Sequence, residues 1–277
     1  MNTPHEASHL TVPDQFIHPE LFHFNSLFCA APCFPVKSSN IGILTEPRQF
    51  YDTLLSKCSE AKMRITLASL YLGNGNLEQN IVTAIRNNKS FERGDLNVNV
   101  LLDYTRGSRF TKNSRSVLLP LLQSEANCRL SMYHTPVLRG LRKKLAPTRW
   151  NELFGLQHMK LYIFDDTLII SGANLSSDYF TNRQDRYFVI NDKQLCNFYC
   201  GLVDKVQMFS LRVDKNNEVS LSEGWTQLPY EGSHNKFVER ARKVIERYLF
   251  EFRDKQSSLK VENFGKSDTA YVKFCMF

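Results

Sequence analysis

Apolar residues recur along this chain with two different periods, and the alternation between them predicts its elements. Residues 1 to about 38 show neither period; punctuated by Pro, His and Phe, they read as an N-terminal extension. From Ile41 the periods alternate. Pro47 to Lys62 spaces Phe50, Leu54, Leu55 and Cys58 along a helical face, and Arg64 to Leu72 reads as a buried strand ended by Gly73-Asn74-Gly75. Leu77 to Asn87 returns to helical spacing, and Leu96 to Tyr104 is the next strand. A helix over Ser114–Ser124 leads to a strand near Cys128–His134. After a basic segment, strands Met159–Phe164 and Leu168–Ser171 flank a turn at Asp165-Asp166. A short turn at Ser176–Phe180, a strand over Arg186–Ile190 and a helix over Lys193–Phe209 follow. This order predicts an α/β domain with a mixed sheet flanked by helices. Beyond Asn216 the character changes. His234–Arg253 gathers Phe237, Ala241, Val244, Ile245, Tyr248, Leu249 and Phe252 on one face, an amphipathic helix expected to pack on protein rather than lie on a membrane. Asp268–Phe277 turns strand-like.

Composition narrows the function classes. With 42% hydrophobic and 23% charged residues in 277, a packed core is within reach and wholesale disorder is not expected. The net charge of +7 suits a polyanionic partner, whether nucleic acid, anionic lipid or a phosphorylated substrate. No apolar run approaches the 18 or so residues of a membrane span. Seven cysteines, odd in number and thinly spread, point to a reducing compartment. The pairs Cys29/Cys33 and Cys196/Cys200 lack zinc-knuckle spacing, so no metal is expected. The first Lys or Arg is Lys37, and Glu6, Asp14 and Glu20 precede it, so no presequence or secretory signal is visible.

Candidate chemistry concentrates at His158-x-Lys160-x4-Asp165, followed by Ser171-Gly172-Ala173-Asn174. In a strand, residues two apart point the same way, so His158 and Lys160 present an imidazole beside an ammonium. Asp165 at the strand end is expected to hold an imidazole in one tautomer. The turn of small residues frees the Asn174 amide to donate to a phosphoryl oxygen. Together these supply a nucleophile, a cation and neutral donors around one phosphate, without metal or other cofactor.

In their setting these residues resemble the eukaryotic phosphatidylglycerophosphate synthases, of the phospholipase D superfamily. The likeness is carried by Gly155–Asp165, Ser171–Ser176 and Tyr179–Tyr187. It extends over Ala68–Gly73, Asp103–Arg109, Lys112–Arg115, Leu118–Leu122, His134–Pro136 and Leu138–Leu141, about residues 41 to 210. Asn174 stands nine residues after Asp165, where the superfamily usually has ten and these synthases have nine.

The resemblance implies one lobe of a normally two-lobed, pseudo-symmetric phospholipase D-like fold. It implies transfer of a phosphatidyl group from CDP-diacylglycerol to glycerol-3-phosphate, giving phosphatidylglycerophosphate and CMP through a phosphohistidine. His158 would be the nucleophile, Lys160, Asn174 and Ser171 would hold phosphoryl oxygens, and Asp165 would orient an imidazole. Arg106, Arg109 and Arg115 would bind the acceptor phosphate or the CDP diphosphate, with Arg183, Asp185 and Arg186 as a supporting shell. The basic run Arg139, Arg142, Lys143, Lys144 and Arg149 is a solvated face or a dock for anionic lipid headgroups. A peripheral place at the mitochondrial inner membrane follows from the resemblance alone.

Such a site takes a second HxK motif. His234-Asn235-Lys236 opens like one, but Ala241 stands where Asp is required and no Gly/Asn turn follows, so the match is read as chance. The expected organisation is an extension over 1–38, a lobe over 39–215 and a connecting segment over 216–277, containing helix 234–253 and leading to a missing second lobe. The chain thus reads as truncated and inactive or weakly active alone. Two other readings stay open: a homodimeric single-motif phosphodiesterase or nuclease of the superfamily, and a non-catalytic partner of the full-length synthase. Nucleic acid is not the expected partner.

Overall fold

The computed structural model describes residues 32–124, 126–140, 155–258 and 269–273. The chain divides into two compact units, Ile41–Tyr248 and a smaller one drawn from Met1–Asn40 and Leu249–Phe277.

In the larger unit, β2 (Ile41–Leu44) precedes α1 (Pro47–Glu60), whose start is set by Pro47 in its first turn and by the Gln49 side chain accepting the Glu46 N–H at 3.2 Å. Then come β3 (Arg64–Ala68), α2 (Asn76–Arg86), α3 (Lys89–Glu92), β4 (Asn97–Asp103), α4 (Tyr104–Gly107), α5 (Ser114–Leu122) and β5 (Cys128–Tyr133). The second half holds β6 (Leu161–Phe164), β7 (Thr167–Ile170), α6 (Ser177–Thr181), β8 (Tyr187–Asn191), α7 (Lys193–Met208), β9 (Leu211–Val213) and β10 (Val219–Leu221). Helix α8 (His234–Ser258) runs on into the smaller unit.

Among the described residues, nine strands form one sheet in the order β10-β9-β5-β4-β3-β6-β7-β8-β2. Strands β3, β4 and β5 are parallel, and every other pairing is antiparallel. Alternation along β4 explains the layers. Val98, Val100 and Leu102 join one core cluster with Phe50 and Leu54 of α1, Ile81 and Ile85 of α2, and Leu118 and Leu121 of α5. On α7, Leu195, Phe198, Leu202 and Val203 are buried, and Asp192 caps its first turn by accepting the Leu195 N–H at 2.7 Å.

The sheet is mixed and helix-flanked, as the pattern predicts. Four short strands escape the periodicity argument, the four-residue β2 among them. β9 and β10 have three residues each, too few to show a period, and β1 (Cys33–Lys37) lies in the segment that reads as extension. In the smaller unit β1 pairs antiparallel with β11 (Thr269–Lys273), and buried Phe34 sets its ring 5.7 Å from that of Phe252. The apolar face of α8 packs within the larger unit as far as Tyr248. Phe237 meets Trp225 at 5.6 Å between ring centroids, and the Tyr248 hydroxyl donates to the Phe198 carbonyl at 2.7 Å. His234 and Lys236 are on the first turn of this helix, where residues two apart do not share a face. Among the described residues, no helix is long and apolar enough to cross a membrane. Of the basic run, only Arg139 lies within the described residues; it donates to the Gly232 carbonyl.

Candidate active site

Strand β6 runs antiparallel to β3, pairing Leu161 with Ala68 and Phe164 with Ile65. The residues entering β6 therefore lie beside the carboxyl end of β3, next to Ser69. The strand begins at Leu161, two residues later than its pattern predicts, so His158 and Lys160 are on the approach to it. Tyr162 and Phe164 point into the core beneath α1, where the Phe50 ring is 5.7 Å from that of Tyr162. Lys160 is only 7% exposed, and its Nζ reaches back to donate to the His158 carbonyl at 3.0 Å.

Burial pulls the Lys160 ammonium down to about 8, with the nearby Asp185 carboxylate opposing the shift. The His158 side chain opens to solvent. Partial desolvation, and secondarily the Lys160 charge, hold its imidazole below the usual histidine range. At neutral pH the site thus pairs a neutral imidazole, with its lone pair available, with an adjacent cation. That is the state a nucleophile at phosphorus requires.

The turn after β7 is held from below. The Tyr162 hydroxyl donates to the Ala173 carbonyl at 2.6 Å, and the Ala173 N–H donates to Ser171 Oγ at 3.1 Å. Buried Asn174 accepts from Ser69 Oγ at 3.4 Å, which turns its NH2 group away from Ser69. The Asp185 carboxylate lies close against Gly172, where an added Cβ would displace it. Asp185 is therefore the acid that accompanies Lys160. Tertiary packing, and not motif spacing, brings it in.

Two expected roles need correction. Asp165 does not reach an imidazole. It sits at the far end of β6, where its carboxylate accepts the backbone N–H groups of Lys62 (2.9 Å), Met63 (2.8 Å) and Arg64 (3.0 Å). Five residues of extended chain separate it from Lys160, roughly 17 Å. Its φ of 51° makes the hairpin bend, and Arg64 Nε donates back to its carbonyl at 2.8 Å. Arg115 is likewise engaged: its guanidinium bonds the side chain and the carbonyl of Asn217. That contact ties α5 to the turn between β9 and β10, because Asn217 in the left-handed region aims its carbonyl at the helix.

Arg106 stays at the site's margin, stacked 4.8 Å over the Tyr71 ring, whose hydroxyl meets Ser176 Oγ at 3.2 Å. Arg109 stacks over Phe110 at 5.0 Å. Arg183 faces Asp178 at 3.6 Å and Arg186 is exposed.

One residue has no role in the sequence reading. Asp103, 1% exposed, accepts the Gln157 N–H at 3.2 Å on one oxygen. On the other it accepts Thr105 N at 3.0 Å, Arg106 N at 3.1 Å and Thr105 Oγ1 at 2.6 Å. Burial raises its pKa while these bonds oppose the rise. It fastens α4 to the peptide just before His158, and Gln157 Nε2 adds bonds to the Ser69 and Leu101 carbonyls. The available signal was an acidic residue directly after the apolar run Val100-Leu101-Leu102. Among the described residues, no cluster of three or more His, Cys, Asp and Glu converges on a metal position.

A mixed sheet carrying His158 and Lys160 on a strand approach, with Asn174 on the return turn, is the arrangement of a phospholipase D-like domain. The family described as Cardiolipin synthase, PLD-like domain matches residues 54–201, more than half of the chain, and the chain belongs to it. It is 43% identical over 243 residues to the mitochondrial CDP-diacylglycerol–glycerol-3-phosphate 3-phosphatidyltransferase of Gallus gallus, covering 85% of this chain and 43% of that protein. It is 40% identical to the Homo sapiens protein of the same name over 263 residues, covering 92% of this chain and 47% of that one. The chain thus spans about half the length of these curated relatives. In fold it is similar to the phosphatidylserine synthase of Haemophilus influenzae Rd KW20, with a TM-score of 0.56 at 19% identity, covering 80% of this chain and 46% of that one.

Proposed function

We propose that this chain carries one half of a phosphatidyl-transfer site, acting on CDP-diacylglycerol with glycerol-3-phosphate as acceptor. The single observation that carries the reading is the neutral, solvent-facing His158 imidazole beside the buried Lys160 ammonium. The names of the relatives supply the substrates.

An imidazole nitrogen of His158 attacks the phosphorus that bears the diacylglycerol. The bond to CMP breaks, and a second imidazole protonates the departing oxygen. The glycerol-3-phosphate hydroxyl then gives its proton to that second imidazole and attacks the phosphohistidine, which frees His158. Lys160 and the Asn174 amide offset charge on the phosphoryl oxygens, Ser171 shapes the turn that carries Asn174, and Arg106 and Arg109 hold the phosphates of donor or acceptor. Asp185 supports Lys160. The second imidazole comes from a second lobe, and mitochondrial residence follows the names of the relatives.

Labelled CDP-diacylglycerol should leave an acid-labile adduct on the chain, supplied where needed with the C-terminal half of the Gallus gallus relative. His158→Ala should abolish it, and an adduct that survives this substitution removes His158 from the role. If instead the adduct forms only in a dimer of this chain, and heterodimers with His158→Ala fail to turn over, the second imidazole belongs to a second copy.

A further inference from the structure

The segment from Tyr104 to Ser124 contains four cations, Arg106, Arg109, Lys112 and Arg115, and no acidic residue. At its tip is Phe110, 74% exposed and the most exposed large apolar side chain among the described residues. Its φ is 70°, a left-handed conformation that costs a bulky residue energy and that a floppy loop would relax.

The tip is held in shape. Asn113 Nδ2 donates to the Phe110 carbonyl at 2.8 Å, and Asn74 Nδ2 donates to the Lys112 carbonyl at 2.7 Å. Asp103 caps the helical turn before the tip, and at the start of α5 Ser114 Oγ exchanges bonds with the Leu72 backbone at 3.0 and 2.6 Å. Arg109 lies over one face of the ring. The tip follows the carboxyl end of β4, the same end of the sheet as His158.

An exposed aromatic whose carbonyl is bonded, with Arg109 over one face and Lys112 two residues on, matches the boundary of an anionic bilayer: ring among the acyl chains, ammonium and guanidinium groups among the phosphates. We propose that the Phe110 tip, with Arg109 and Lys112, is a membrane-docking finger that seats the His158 end of the sheet on anionic lipid. The inference rests on the reading of the substrate as a bilayer lipid and names the surface that brings the site to it.

The test is co-sedimentation of the full chain with phosphatidylcholine vesicles, with and without phosphatidylglycerol. The chain should bind the anionic vesicles, and Phe110→Ser should weaken that binding about tenfold at an unchanged melting temperature. Phe110→Trp should restore it, and Lys112→Glu should weaken it most at low salt. In the chain completed with the C-terminal half of the Gallus gallus relative, Phe110→Ser should leave CMP release from detergent-dispersed CDP-diacylglycerol unaltered. Absent vesicle binding, or equal binding by Phe110→Ser, overturns the proposal. So does Phe110-dependent binding of single-stranded oligonucleotide in preference to vesicles, which makes the ring a base-stacking platform. So does loss of activity in detergent, which moves Phe110 into the substrate pocket. A chain that binds vesicles through Phe110 but, completed with the C-terminal half of the Gallus gallus relative, never turns over CDP-diacylglycerol keeps the finger and refutes the transferase reading.

Discussion

Replacing Asp165 with asparagine separates a structural carboxylate from a chemical one. Three backbone N–H groups, of Lys62, Met63 and Arg64, donate to it between 2.8 and 3.0 Å, closing the entry to β3. A hydrogen bond to a charged acceptor contributes about 1.5–3 kcal/mol when desolvated. Lys62 and Met63 are exposed, which lowers the total for the set to about 2–4 kcal/mol. Asparagine keeps one acceptor oxygen and tolerates the φ of 51°, so Asp165→Asn should cost about half of that, ~1–2 kcal/mol. Asp165→Ala loses the whole set and adds ~1 kcal/mol for the left-handed backbone. Urea unfolding followed by circular dichroism should show the midpoint falling in the order wild type, Asn, Ala at constant slope. Adduct formation at His158, measured where each variant is folded, should be unchanged. An unaltered midpoint together with a lost adduct would falsify this placement of Asp165 and return it to the chemistry.

Lys160→Met should abolish adduct formation yet stabilise the fold at pH 7. The fall of Lys160 from 10.5 to about 8 corresponds to at most ~3 kcal/mol of ionisation cost in the native state. The unfolded chain binds the extra proton between pH 8 and 10.5, so wild-type stability rises with pH through that window and the advantage of the Met variant should vanish above it. Equal unfolding midpoints at pH 7 and pH 11 would count against a buried cation. Adduct formation in wild type should rise as His158 deprotonates, below the ordinary 6.5, and fall as Lys160 loses its proton near pH 8. A flat profile from pH 5 to 9 would contradict the assignment (about four pH units, each worth a factor of ten in protonation). Arg115→Ala should lower the unfolding free energy by about 1–2 kcal/mol with KM for both substrates unmoved; a rise in KM alone restores Arg115 to substrate binding. Tyr162→Phe removes the donor to the Ala173 carbonyl and should cost kcat more than KM, about tenfold, by loosening the Asn174 turn. Unchanged kcat would show that the turn holds itself.

His158 and Lys160 were legible without coordinates because they are two residues apart on one extended segment. That local geometry survives whatever the rest of the chain does, and the apolar run Leu161–Phe164 announces the strand behind it. The alternation of helical and strand periods likewise determined the α/β class, since each element must bury its own apolar face. The destinations of Asp165 and Arg115 were not legible. Both make contacts to residues about a hundred positions away, Lys62–Arg64 and Asn217, and motif spacing carries no record of them. The extended run of β6 itself carries Asp165 away from His158, and the antiparallel pairing of that strand on β3 decides that it meets Lys62–Arg64 there. The same pairing brings Asp103 of β4, through Gln157, to the peptide beside the imidazole, and packing of the segment before β8 sets Asp185 against Gly172. What the sequence determined by itself is the placing of His158 and Lys160 side by side and the period of their scaffold, because both are short-range. Tertiary structure decided which acid lies beside Lys160 and which holds the sheet, because strand register, and not sequence distance, sets which ends meet.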